Sequence, residues 1–357
     1  RPISAQSICR MGDGERGWLP VDQVREDILE GTSDAADRAG IPELTREECQ
    51  QLFDIIAEPS KVVGVAPGEE VVVTDDAVSM LFYADQENSG QGIPMSRTQS
   101  LLAYERACAA DTISMGHTDY SYKQVKPIIN YETQEYYTAS QMTTAPFFYG
   151  SQPNMGLYFQ PDGPYPNPAE LLPQGQITRA LEAQEMAMEH LYADLVTIGR
   201  EMNAVGCEGL NFDTAASAGD ADFKATLKAV ETLKSLAPQV PIEVGMSSEF
   251  VMGMHGGITY KGMRLAGIYP HEQVKIVEAA GADIFGPAIN VNSSKSIPWN
   301  LARAVTFVKE TVAVAGIPVH PNVGMGVCGV PMFEVPPLDA VTRASKSLVQ
   351  IGKADGL

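Results

Sequence analysis

Cysteine is scarce in this chain. Cys9, Cys49, Cys108, Cys207 and Cys328 are five in 357 residues, widely spaced and without a CxxC pair, which argues against both a disulfide framework and a cysteine zinc site. The five histidines include no HExxH stretch and no pair at zinc-ligand spacing, so no bound metal is expected. Basic residues are also few: 25 Lys and Arg stand against 45 Asp and Glu, a net charge of -20. Nucleic acid is a poor partner for such a surface. No apolar run reaches the roughly 18 residues of a spanning helix, and the start carries no signal-peptide pattern, so a reducing cytoplasm is the expected compartment.

What is present is a repeat. Residues 207–213 (CEGLNFD), 241–247 (PIEVGMS), 283–290 (DIFGPAIN), 318–324 (PVHPNVG) and 354–357 (ADGL) are short apolar segments starting 34, 42, 35 and 36 residues apart. That spacing suits a strand, a loop and a helix. Helical periodicity fills the intervals, through Phe223, Leu227, Val230 and Leu233, then Leu301, Val305, Val308 and Val312, then Val341, Leu348 and Ile351. Leu191, Leu195, Ile198 and Met202 mark a long helix before them. Gly206, Gly281, Gly316 and Gly352 stand where helix stops call for positive φ.

Alternating strands and helices at this period predict an α/β protein with a TIM-type (β/α)8 barrel, which takes roughly 250 residues. The reading places the barrel at 111–357, starting with strands at 112–117 and 145–150, with its C-terminal part missing. Residues 1–110 are the N-terminal elaboration, read as a cap over one barrel end. In it Thr45 and Glu48 offer a capping box for a helix through Ile56, Val71 to Thr74 reads as a strand, and Leu81 to Ile93 as a polar loop. The Pro- and Gly-rich stretch between Gly150 and Ala180 reads as a functional loop.

Barrel chemistry sits at the C-terminal strand ends. If Leu210 and Phe212 face the helices, alternation turns Gly209, Asn211 and Asp213 inward. The same parity brings in Glu243 and Gly245, Gly286 and Asn290, His320 and Asn322, and Gly356. The predicted lumen is polar and acidic, and its glycines suggest a cavity kept open for something long.

RMGDGERGWL (10–19), DQENSGQGIPMSR (85–97), ADTISMGHTDYSYKQVKP (110–127), FFYGSQPNMGLYFQPDGP (147–164), NFDTAASAGD (211–220), GMHGGITYKGMRLAGIYPHEQ (253–273), NLARAVTFVK (300–309) and VGMGVCGVPMFEVPPLDAVTRASK (323–346) are specific segments. On them the chain resembles the dimethylamine methyltransferases of methylamine-dependent methanogenesis, over nearly its whole length. The resemblance implies methyl transfer from dimethylamine to the cobalt of a cognate corrinoid protein. It also implies pyrrolysine, encoded by an in-frame amber codon directly after Leu357, so that the chain is expected to end where that codon was read as a stop. The corrinoid would be carried by the partner, with no cofactor held in this subunit, and a homo-oligomer is expected.

An alkylammonium substrate needs nearby carboxylates and a route for a proton. Asp213 and Glu243 are the candidates for the first and His320 for the second, while Asn290 and Asn322 can hold the substrate adduct. Tyr149 and Phe147 can present ring faces to the methylated nitrogen, worth about 0.5 to 2 kcal/mol. Each has a plainer reading: carboxylates satisfied by backbone amides, a histidine within a hydrogen-bond network, rings in the core. The loop Gly324, Met325, Gly326, Val327, Cys328, Gly329 matches no phosphate-binding spacing and reads as a close-approach loop for the partner. Two other functions stay open: a truncated form that only binds the corrinoid protein or oligomerises, and a barrel lyase or aldolase using Glu243 and His320.

Overall fold

The computed structural model describes residues 6–12, 15–69, 71, 82–83, 92–93, 112–113, 148–253, 257–322 and 338–357. An antiparallel hairpin comes first, β1 (Gln6–Arg10) and β2 (Arg16–Pro20). Helix α1 (Val21–Ala39) follows and stops at Gly40, whose φ of 64° is the left-handed conformation glycine supplies. Helix α2 (Arg46–Ala57) starts on the predicted capping box: Glu48 N donates to Thr45 Oγ1 at 3.2 Å and Thr45 N donates to Glu48 Oε2 at 2.7 Å.

The strand expected at Val71 to Thr74 lies almost wholly outside the described residues. Within the stretch read as a polar loop, β3 (Phe82–Tyr83) and β4 (Gly92–Ile93) pair antiparallel. Strand β5 (Thr112–Ile113) pairs antiparallel with β6 (Phe148–Ser151), so the segment expected to open a parallel barrel runs the other way. The Pro- and Gly-rich stretch is partly helical. It holds a 3-10 turn at Met155–Tyr158 and the short α3 (Pro168–Leu171), started by the side chains of Asn154 and Asn167.

From there the chain alternates. Helix α4 (Ile177–Ala204) leads to β7 (Gly209–Ala215), α5 (Asp220–Leu236) and β8 (Ile242–Met246). A small hairpin, β9 (Thr259–Tyr260) with β10 (Met263–Arg264), precedes α6 (Pro270–Ala280), β11 (Ile284–Gly286), α7 (Ile297–Val314) and α8 (Leu338–Gln350). The main sheet has the order β11-β8-β7-β6-β5, and β6, β7, β8 and β11 are parallel. Val319 forms a parallel bridge with Phe285, and Asp355 N donates to Val319 O at 3.0 Å. Segments 318–320 and 354–357 therefore extend the sheet in chain order. Among the described residues this is an open arc: the closed eight-stranded barrel expected from the repeat is not formed by them.

Two apolar cores flank the arc. Leu210, Phe212, Ile242, Val244 and Phe285 cover one sheet face against Leu191 and Leu195 of α4, Phe223, Leu227 and Val230 of α5, and Val274 and Val277 of α6. Each such side chain contributes about 1.5–3 kcal/mol on burial. In the second core, Val24 and Ile28 of α1 and Leu52 and Phe53 of α2 meet Leu301, Val305 and Val308 of α7 and Leu348 of α8. Helix α7 is buried nearly all round, and α1 approaches it so closely that a Cβ on Gly31 would lie 2.2 Å from the Trp299 carbonyl oxygen.

Of the four predicted glycine stops, Gly206 (φ 90°) and Gly281 (φ 96°) adopt positive φ. At the other two the chain turns differently: Ala315, before Gly316, is extended, and after Gly352 it is Lys353 that takes φ 60°.

Candidate functional site

Pairing sets the site. Asn211 stands level with Glu243, and Gly245 with Gly286, while Val319 stands beside Phe285. Residues two apart on a strand share a face. With Leu210, Phe212, Val244, Phe285 and Val319 all buried on the helix side, the opposite parity carries Asn211, Glu243, Gly245, Gly286 and His320. There His320 Nδ1 lies 2.9 Å from Glu243 Oε1, joining residues 77 apart in the chain. Each side chain is 12% exposed, so the pair is shielded yet reachable.

An imidazole with Nδ1–H on a carboxylate keeps Nε2 as the atom that takes and returns a proton. The pair lies within the parallel sheet: Glu243 is the second residue of β8, level with Asn211 and Ile284, and His320 follows Val319, which stands beside Phe285.

The glycines have a different use from the one expected. A Cβ on Gly245 would come within 2.5 Å of Asp213 Oδ1, and one on Gly286 within 3.3 Å of Glu243 Oε1. They do not hold a cavity open at those points; the carboxylates of Asp213 and Glu243 occupy the space. An acidic row is packed against bare backbone.

Beyond Phe212 the β7–β8 register slips, since Phe212 is level with Val244 but Ala215 with Met246. Such a bulge re-aims side chains, and here it falls on Asp213 and Thr214. Thr214 has φ 57° and Ala216 φ 67°, a left-handed conformation that is unusual for any non-glycine and a true outlier for a β-branched residue.

Asp222, in the first turn of α5, holds this turn in place. Its Oδ1 accepts from Ala216 N at 2.9 Å and from Gln152 Nε2 at 2.8 Å, and its Oδ2 accepts from Ser217 Oγ at 3.2 Å and from Ala218 N at 3.3 Å. Complete burial pushes the Asp222 carboxyl up to about 6, against those four donors, which pull it down.

Two polar atoms of β7, Asn211 Oδ1 and Thr214 Oγ1, are buried and make no hydrogen bond. Asn211 is 8% exposed. Alternation turned Asn211 inward but gave it no task, because only the register shows that it lies beside Glu243.

The other candidates are more scattered. Asn290 is exposed, and its backbone is what the structure uses: its N donates to Glu249 Oε2 at 3.3 Å and its O accepts from Arg303 Nη1 at 3.0 Å. Asn322 is half-buried, two residues past His320, with its N donating to Pro287 O at 3.4 Å. Tyr149 lies in β6 at the position level with Leu210. Phe147 and the loop 324–329 lie outside the described residues. Among the described residues no three His, Cys, Asp or Glu are grouped for a metal ion, and Cys9, Cys49 and Cys207 are buried thiols.

The sequence reading passed over an ion-pair cluster six residues beyond Glu243. The Arg303 guanidinium, 5% exposed, takes both oxygens of Glu249 and also bonds Asp34 Oδ2 at 2.7 Å. A basic residue in the otherwise apolar LARAVTFV was its one visible signal.

Consecutive parallel strands alternating with helices make this an α/β protein, with a carboxylate–histidine pair and further acids on one face of the sheet. The family model for dimethylamine methyltransferase matches residues 5–357. The chain belongs to that family, and membership makes it a methyltransferase. No solved structure matches the chain. No described helix is long and apolar enough to cross a membrane.

Proposed function

We propose that the protein transfers a methyl group from dimethylamine to the cobalt of a cognate corrinoid protein in methanogenesis from methylamines. Support comes from family membership together with one observation: Asn211, Asp213, Glu243 and His320 come from neighbouring parallel segments of one sheet, with His320 bonded to Glu243 and Asn211 level with it. In this reading the arc is part of a (β/α)8 barrel that starts near residue 111, the preceding residues form an elaboration, and the enzyme works as a cytoplasmic homo-oligomer.

Within the site, Asp213 sets the charge that draws in an alkylammonium ion. Glu243 orients His320, and His320 moves the proton as the amine binds and leaves. Asn290, Asn322, Tyr149 and Phe147 remain proposed substrate contacts. Pyrrolysine, expected directly after Leu357, would supply an electrophilic ring for the amine, and the partner's corrinoid would supply the methyl acceptor. The hydrogen bonds from Asp355 N and Gly356 N to Val319 O, at 3.0 and 3.4 Å, favour this, since they bring the chain at Leu357 alongside His320. Most of the chain's own contribution is positioning.

The test is dimethylamine-dependent methylation of a reduced corrinoid protein by enzyme from its native source, with the residue after Leu357 read by mass spectrometry of the peptide. Methylation with a residue heavier than lysine at that place supports the proposal; binding of the corrinoid protein without turnover would overturn it.

A further inference from the structure

The unmet oxygen of Asn211 is a ligand-directed feature. A buried carbonyl oxygen without a donor carries a desolvation cost that native proteins tolerate where a partner arrives later. Asn211 lies on the central strand β7, level with Glu243, so its backbone stands about one strand spacing, roughly 4.8 Å, from that of the residue bonded to His320. Two residues on, past the bulge, the Asp213 carboxylate fills the space over Gly245. Next to it the buried hydroxyl of Thr214, on strained backbone, makes no hydrogen bond either. Strain and unmet polar atoms on one strand mark a place prepared for a ligand.

We infer that Asn211 is a specificity-determining residue whose carboxamide oxygen accepts an N–H bond of a small alkylammonium substrate, with Asp213 beside it neutralising the charge. This rests on the reading of the site as an amine methyltransferase. Dimethylammonium has two N–H bonds, one for Asn211 Oδ1 and one for Asp213. A quaternary ammonium of similar size has none, so it meets Asp213 by charge alone and leaves the Asn211 oxygen buried and unmet. A pocket built to hydrogen-bond a donor rejects the analogue that lacks it. Asn211 thus separates amines that carry N–H from those that do not.

Calorimetric titration with dimethylammonium and tetramethylammonium chlorides tests this, on wild type, Asn211→Leu and Asn211→Asp, alongside corrinoid methylation by the same proteins. In Asn211→Leu, dimethylammonium affinity should fall about tenfold or more, the loss of one hydrogen bond to a charged group. KM should rise with it, kcat should change less, and tetramethylammonium affinity should stay put. Asn211→Asp keeps the acceptor and should bind dimethylammonium at least as well as wild type. Should Asn211→Leu fail to fold, Asn211→Ser withdraws the oxygen with less disturbance and carries the same expectation. Unchanged dimethylammonium affinity, or equal weakening of both cations, overturns the inference. Selective weakening in a protein that methylates no corrinoid would keep the amine site and remove the reaction on which the reading rests.

Discussion

Two carboxylate pairs, Glu249 with Arg303 and Glu243 with His320, have their carboxylates on either side of the end of β8, six residues apart, and their surroundings differ. Glu249 gives both oxygens to Arg303, Arg303 reaches on to Asp34 and the Asn290 carbonyl, and the side chains are only 4% and 6% exposed. Glu243 meets His320 through one 2.9 Å contact, both are 12% exposed, and the neighbouring Asn211 oxygen is unmet. The first pair is saturated and joins α7 to the N-terminal helix. The second lies beside a buried acceptor, Asn211 Oδ1, that has no donor. Burial and charge alone would not separate them; the unmet Asn211 oxygen beside the second does.

If the contrast holds, the two pairs fail differently. Glu243→Gln keeps the shape but removes the base beside His320, and turnover should fall about 10²- to 10⁴-fold, with a thermal melt close to wild type. Steady-state kinetics paired with calorimetry reads both. Arg303→Met leaves Glu249 buried without its cation and should cost about 3–5 kcal/mol of stability, measured by urea unfolding, while kcat per folded molecule changes little. A reversal of these outcomes would assign the structural role to the wrong pair.

Asp222 sharpens the comparison, since it is saturated like Glu249 but serves the turn that carries the site. Its carboxyl is raised in the folded state, to about 6 from an ordinary 3.8. Between those values the folded protein holds a proton that the unfolded chain has released, so this group's contribution is complete below about 3.8 and is lost as pH rises through 6. The window is worth about 3 kcal/mol. Unfolding free energies from pH 4 to 7 should therefore show a downward component in wild type that is missing in Asp222→Asn. At the small end, Thr45→Ala removes a cap that bonds to neither pair and should cost about 1 kcal/mol with no kinetic effect.

What could be read from the sequence follows from how local each feature is. The capping box at Thr45 and Glu48 spans four residues and is found as written. The inward parity of Glu243 and His320 needs only strand alternation, but their contact depends on β8, β11 and the 318–320 segment lying in order with fixed register. The cavity inferred from Gly245 and Gly286 failed because composition cannot say which side chain a glycine makes room for; here it is Asp213 and Glu243. Arg303 was missed for the opposite reason, since a charge on a helix is ordinarily on the solvated face, and α7 has almost none. The antiparallel β5 was beyond reach, because a two-residue strand carries no signal of direction.

The seam between α1 and α7 also bears on how the protein is made. Ser296 Oγ bonds Asp27 Oδ2 and Arg303 Nε bonds Asp34 Oδ2, each across 269 positions of chain, and Thr306 Oγ1 bonds Thr32 Oγ1 across 274. Strands β6, β7, β8 and β11 pair with their neighbours as they leave the ribosome, whereas α1 and α2 emerge first and wait for most of the polypeptide before their apolar faces find α7. At about 5–20 residues per second, that wait lasts tens of seconds. The amino-terminal helices are the part of the nascent chain a chaperone has most reason to hold.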